Sequence, residues 1–267
     1  MMEINKIYNE DCLDTMNRMQ DNFVDCILTS PPYNISKKTS KQFNSKISAH
    51  SRYSSENFYD EYKDTLTEKE YLEFTIKVFN KYNKVLKKGG CVLYNMSYNK
   101  SNSNLMNLTI GEIIKKTNFN IQDVLIWKKP HSIPSPLGNK RLRRICEFIY
   151  IFIKKDGLDE FEINKKVINI ENGINVYETI DNFIEAKNND GCNELNKATF
   201  SSELVRKLLR IYNKKDSLIY DSFMGTGTTA KACIMENMNF IGSELSKKQV
   251  DFANKRLVPY LTQITLF

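Results

Sequence analysis

Two short stretches hold residues whose types and spacing can do chemistry on a bound ligand. The first is Asp221-Ser222-Phe223-Met224-Gly225-Thr226-Gly227-Thr228-Thr229, between an apolar run that reads as a strand, Leu218-Ile219-Tyr220, and a helix through Met235. Gly225 and Gly227 let the backbone approach a ligand and take turn dihedrals, and the following helix offers free N–H groups at its positive end. A nucleotide-like or carboxylate-bearing ligand suits such a loop. Phosphate binding suits it less. Lys231 is followed by Ala232 rather than Ser or Thr, and the third glycine of the dinucleotide fingerprint is missing. About 20 residues further, after the strand Phe240-Ile241-Gly242, Glu244 is placed to accept hydrogen bonds from ribose hydroxyls. Taken alone, the loop also reads as a tight turn with Glu244 a solvated residue beyond it.

The second stretch is Thr29-Ser30-Pro31-Pro32-Tyr33-Asn34, at the end of the apolar run Phe23 to Leu28. Two adjacent prolines cannot continue a central ladder, so the chain must leave the sheet there as a stiff loop. Its serine hydroxyl and proline-flanked carbonyls are acceptors beside an aromatic face, a set that fits an amino group on a planar ring. Alone, Pro-Pro-Tyr reads as well as a turn or an exposed polyproline ligand.

The elements that position these loops follow from periodicity. Ile7 and Tyr8 lead to a short helix through Leu13 and Met16; Cys91 to Tyr94, Val124 to Trp127 and Phe148 to Ile153 read as strands. Thr67 with Glu70 forms a capping box ahead of Leu72, Ile76, Phe79, Tyr82 and Leu86, an amphipathic helix that Gly89-Gly90 is expected to end. Leu105 to Lys116, Ser202 to Tyr212 and Lys247 to Leu257 read as further helices. Strands alternating with helices imply an α/β fold with a mostly parallel sheet covered on both faces. Between Lys154 and Ala198 the pattern turns polar and irregular, so 154–198 is expected to be a small insert in a core built from 1–153 and 199–267.

The chain has 267 residues, enough for one such core, and a formal net charge of +7, which favours a polyanionic partner. Lys37, Lys38, Lys41 and Arg52 lie in a run from Ser36 to Ser55 without acidic residues, and Lys140, Arg141, Arg143 and Arg144 form a second basic cluster. Both are the expected phosphate contacts, though such runs are usually solvated faces. Six scattered cysteines with two histidines signal neither a zinc site nor a disulfide framework, so no metal is expected. No apolar run approaches the roughly 18 residues of a membrane span and Met1 to Tyr8 lacks a signal-peptide core, which makes the cytoplasm the expected compartment.

Together the two loops resemble the DNA amino-methyltransferases. The catalytic tetrapeptide of that family, Ser, Asp or Asn before Pro-Pro and an aromatic residue, is matched by Ser30-Pro31-Pro32-Tyr33, and its Phe-x-Gly-x-Gly cofactor loop by Phe223-Met224-Gly225-Thr226-Gly227. The order, catalytic loop first, resembles the β group, with the recognition region between the loops. The resemblance implies a Rossmann-like methyltransferase fold, S-adenosylmethionine as cofactor and double-stranded DNA as partner. It also implies Asp11 and Cys12 near the adenine ring and Glu244 at the ribose. Thr199, Phe200 and Ser201 are implied at the methionine end, with Asp221, Phe223, Gly225, Gly227 and Thr228 in the cofactor loop. Ser30 and the Pro31 carbonyl would hold the amino group of a flipped base, with Tyr33 stacked on it. Serine in the first position leans toward N4 of cytosine, with N6 of adenine second and an RNA or protein amino group third. A restriction-modification system with a cognate endonuclease is the expected setting; monomer and homodimer stay open.

Overall fold

The computed structural model describes residues 2–34, 66–97, 103–131, 142–191 and 199–264. Lys37, Lys38, Lys41, Arg52, Lys140 and Arg141 lie outside them.

Eight strands form one sheet in the order β1 (Lys6–Tyr8), β10 (Asn239–Ser243), β9 (Leu218–Asp221), β2 (Val24–Thr29), β3 (Leu86–Met96), β5 (Cys146–Lys154), β4 (Phe119–Lys128) and β8 (Phe183–Glu185). Every neighbouring pair is parallel except the two that involve β5, so β5 alone runs against the rest. Apart from the register shift in β2 that puts Val24 and Cys26 on opposite faces, the strands alternate between two apolar layers, as a period of two requires. Cys26 and Leu28 of β2 and Cys91 and Leu93 of β3 pack under α4 (Ser202–Tyr212), α5 (Thr228–Met235) and α6 (Lys247–Ile264). Val24, Ile27, Val92 and Tyr94 pack on the other face, under α1 (Cys12–Arg18), α2 (Glu68–Val85) and α3 (Ser103–Lys116). Burial on both faces is why β2 and β9 read as continuous apolar runs.

The capping box is formed: Thr67 Oγ1 accepts from the Glu70 N–H and Glu70 accepts from the Thr67 N–H. The helix does not run to Gly89-Gly90, however. It stops at Val85, where Leu86 is already extended, and both glycines lie within β3. Close backbone contact explains them, since a Cβ on Gly89 would sit 2.4 Å from the Glu160 carbonyl oxygen and one on Gly90 2.5 Å from that of Asp25.

The expected insert is only partly separate. Its β6 (Val167–Glu171) and β7 (Ile174–Tyr177) form an exposed antiparallel hairpin outside the main sheet. Its last part rejoins the core, because β8 pairs with β4 and buries Ile184 and Ala186. Asp190 then binds Arg256 and Lys231 and accepts from the Ser202 N–H at the start of α4.

Candidate active site

The connections after β2 and β9, which are neighbours in the sheet, lead to helices on opposite faces: α2 in one layer and α5 in the other. A crevice opens at the C-terminal ends of strands at such a switch point, the usual ligand edge of an open α/β sheet. The cavity found there is bordered by Ser30 and Pro32 from the first loop and by Phe223, Gly225, Thr226 and Thr228 from the second. Asp11 and Cys12 at the start of α1, Thr199 and Phe200 before α4, Asp221, and Glu244 after β10 also border it.

One hydrogen bond ties the loops together. Thr29, the residue before Ser30, donates from Oγ1 to Asp221 Oδ1 at 2.7 Å. Asp221 also accepts from the Phe223 N–H at 3.0 Å and from Thr229 Oγ1 at 2.5 Å. Burial drives its carboxyl up to about 6 against these donors, which lower it. Both oxygens are thus engaged by the protein, and Asp221 fixes one loop against the other. Ser222 extends the link, paired with the Tyr82 hydroxyl and donating to Thr29 Oγ1.

Glu244 accepts from the Gly225 N–H and the Ser246 N–H, each at 2.9 Å, one through each oxygen. These bonds hold the carboxylate at the cavity wall, where it can accept from ligand hydroxyls. The Thr226 hydroxyl is buried without a protein partner at the cavity wall, an orphan that a polar ligand atom would satisfy. Phe74 of α2, 6.2 Å from Phe223 between ring centroids, adds an apolar side with Pro32. A ligand with a sugar, a planar ring and an amino acid tail, such as S-adenosylmethionine, fits these groups.

Other expected residues take different places. Gly227 does not border the cavity; it caps α5 at φ +80°, and a Cβ there would meet the Ala253 Cβ at 2.9 Å. The close approach is therefore to α6 rather than to a ligand. Ser201 is the N-cap of α4, accepting from the Leu204 N–H. Cys12 is buried, and burial pushes its thiol up, so it serves as a small wall residue. Tyr33 is buried in the apolar layer under α2 and does not present its ring to the cavity. Its hydroxyl lies 2.6 Å from Ser30 Oγ and accepts from Asn95 Nδ2 at 3.2 Å. Arg143 and Arg144 are exposed just before β5.

The cavity residues that the motifs did not reveal include Phe74, whose helix periodicity marks only packing, and Ser243, Leu245, Ser246 and Gln249, which flank Glu244 without a pattern of their own that marks a ligand. Among the described residues no helix is long and apolar enough to cross a membrane, and no cluster of His, Cys, Asp or Glu could hold a metal ion.

Known proteins resemble this chain in sequence and in fold. The chain is 23% identical to the type II methyltransferase M.BglII of Bacillus subtilis over 94% of its length and 68% of the relative's. It is 23% identical to M2.MboI of Moraxella bovis, covering 94% of this chain and 86% of the other. The fold superposes on the cytosine-N4-specific PvuII DNA methyltransferase with a TM-score of 0.69 at 18% identity, over 96% of this chain and 87% of that one. It also superposes on the M1.HpyAVI complex with S-adenosylmethionine, with a TM-score of 0.58 at 20% identity over 94% and 98% of the two chains. The sequence profile of the N6/N4 methyltransferase family, described as DNA methylase, matches residues 24–255. That match takes in both loops and every strand of the sheet but the first, and the chain belongs to this DNA methylase family.

Proposed function

We propose that the chain methylates the exocyclic amino group of a base flipped out of double-stranded DNA, with N4 of cytosine as the first target. The observation that carries this reading is that Ser30 and the Gly225 loop border one cavity and are locked together through Thr29 and Asp221. Cytosine is favoured because serine stands first in the tetrapeptide, and the PvuII enzyme of similar fold is described as cytosine-N4-specific.

S-adenosylmethionine supplies a methyl group on a sulfonium: the amino nitrogen forms the new N–C bond as the C–S bond breaks, sulfur keeps the electron pair and nitrogen then loses a proton to water. The chain's own residues bind and orient. Glu244 and the Thr226 hydroxyl face polar groups of the cofactor, while Phe74 and Phe223 face apolar ones. Ser30 Oγ and the Pro31 carbonyl accept from the amino group and turn its lone pair out of ring conjugation. The Pro32 carbonyl accepts from the Tyr71 hydroxyl at 2.9 Å, which ties the loop to α2. With a cationic leaving group, positioning supplies most of the acceleration and no strong general base is demanded.

Phosphate contact falls to the basic residues outside the insert, Arg143 and Arg144 among them. Between 154 and 198 acidic residues outnumber basic ones ten to six, so recognition by the β6–β7 hairpin would rest on base edges and shape. A cognate endonuclease acting on the same site completes the proposed setting. Methylation-sensitive long-read sequencing of DNA from cells that express the chain tests target and site together. N4-methylcytosine in one short sequence is expected. Methyladenine would move the target to the second choice, and unmodified DNA with methylated RNA or protein would overturn the reading.

A further inference from the structure

A chain of polar side chains continues inward from Tyr33. Asn95 is the penultimate residue of β3, Glu147 the second residue of β5, and Lys129 follows β4 directly. The antiparallel registers, Met96 opposite Phe148 and Trp127 opposite Glu147, bring all three to the strand ends beside the catalytic loop. Asn95 Nδ2 lies 3.2 Å from the Tyr33 hydroxyl and 3.2 Å from Glu147 Oε2, and Lys129 is paired with Glu147 Oε1. The run ends at Ser30 Oγ, 2.6 Å from the Tyr33 hydroxyl.

The proton order along this run follows from the chemistry of its far end. A carboxylate only accepts and an ammonium only donates. Glu147 therefore holds the Asn95 amide with its NH2 group inward, because the flipped amide would set Oδ1 against Oε2. The second hydrogen of that NH2 goes to the Tyr33 oxygen and fills one of its acceptor positions, and in the proposed network Tyr33 is the donor of its hydrogen bond with Ser30 Oγ. Ser30, receiving from Tyr33, keeps one lone pair and its own hydrogen for the cavity. The lone pair suits an amino N–H. The hydrogen suits an unprotonated ring nitrogen, the atom that adjoins the amino group in cytosine and adenine. Guanine and thymine present a carbonyl beside a ring N–H at the same edge.

We propose that Asn95 and Glu147 are positioning residues that set the hydrogen-bond polarity of Ser30, and through it the selection of cytosine or adenine over guanine and thymine. This rests on the functional reading above, and its test separates the two. Burial supports it: Asn95 is 5% exposed, and its Oδ1 has no protein partner, so the amide is oriented by its donors alone.

The decisive variant is the double exchange Asn95→Asp with Glu147→Gln. It keeps the size, the net charge beside Lys129 and the number of hydrogen bonds, but reverses their direction. The new amide at position 147 would donate to the new carboxylate at position 95, that carboxylate would accept from Tyr33, and Ser30 would donate to Tyr33. Single-turnover methylation of duplex DNA is measured beside cofactor and DNA titrations and thermal unfolding. Asn95→Leu and the double exchange should both slow methyl transfer by about 10- to 100-fold, the range of a charge-assisted hydrogen bond, with cofactor affinity unchanged within threefold. Melting of the double exchange should match the parent. A double exchange that restores transfer to within threefold of the parent, while Asn95→Leu does not, would show a merely structural network and overturn the proposal. So would an Asn95→Leu variant of full activity. A parent protein that methylates no DNA would instead overturn the functional reading on which the proposal stands.

Discussion

Asp221 joins the loop after β2 to the loop after β9, and its ionisation follows from that buried position. Its carboxyl, driven up to about 6 by burial, binds a proton more readily in the folded chain than in the unfolded one. The stability it contributes is full below about pH 4, the ordinary carboxylate value, and is lost as pH rises through about 6. Urea unfolding between pH 4.5 and 7 should show that loss in the parent and less of it in Asp221→Asn. Thr229→Val removes one donor to the carboxylate, and the Asp221 midpoint in a carbon-13 titration should move up; a midpoint that stays or falls contradicts the assigned cause. Gly227 offers a second residue-scale test. Its φ of +80° costs about 1–2 kcal/mol for any L side chain, and the Ala253 contact adds to this. Gly173 has the same φ with nothing within 4 Å, so Gly173→Ala should cost only the conformational part. Equal losses for the two variants would mean that α6 yields freely.

At the scale of elements, Arg256 of α6 holds the cofactor loop from outside the cavity. Its Nη1 donates to the Thr226 carbonyl at 3.1 Å and to Thr228 Oγ1 at 3.2 Å, while Nη2 meets Asp190 at 2.5 Å. Arg256→Met breaks a largely buried pair and should lower stability by about 3 kcal/mol, with weaker cofactor binding in calorimetry. Cofactor affinity equal to the parent's would sever this link. The hairpin yields a different expectation: replacing β6–β7 with a relative's segment should change the methylated sequence while leaving the salt slope of DNA binding unchanged, because the segment is acidic. An unchanged sequence would move recognition elsewhere. Local signals made much of this architecture legible. The capping box of α2 and the apolar runs of β2 and β9 are written in adjacent residues, as is Ser30-Pro31-Pro32-Tyr33. Gly89-Gly90 misled because glycine ends helices and also admits close backbones, and only tertiary contact with Glu160 and Asp25 distinguishes the two. β8 is three residues in a polar run, too short for a period to show. Asn95 and Glu147 could not be paired in advance, since they meet only through the register of β3 and β5.

For the whole molecule, the sheet edge gathers loops that lie nearly two hundred residues apart in sequence, and the neighbouring position of β2 and β9 makes them one site. A net charge of +7 with an acidic insert leaves the positive field on the rest of the molecule, so affinity for any duplex should fall steeply with salt, whatever its sequence. In the proposed reaction Ser30 acts on the base amino group while the Gly225 loop holds the cofactor. A contact that strengthens only as the lone pair turns toward the methyl group contributes to the transition state and little to ground-state binding. Single-turnover methylation of duplex DNA by Ser30→Ala, beside a cofactor titration of the same protein, tests this most directly. Transfer slowed by about 10-fold or more with cofactor affinity intact is the expected result, the loss of one hydrogen bond in the transition state. Transfer at the parent's rate would contradict the assignment of Ser30-Pro31-Pro32-Tyr33 as the catalytic loop.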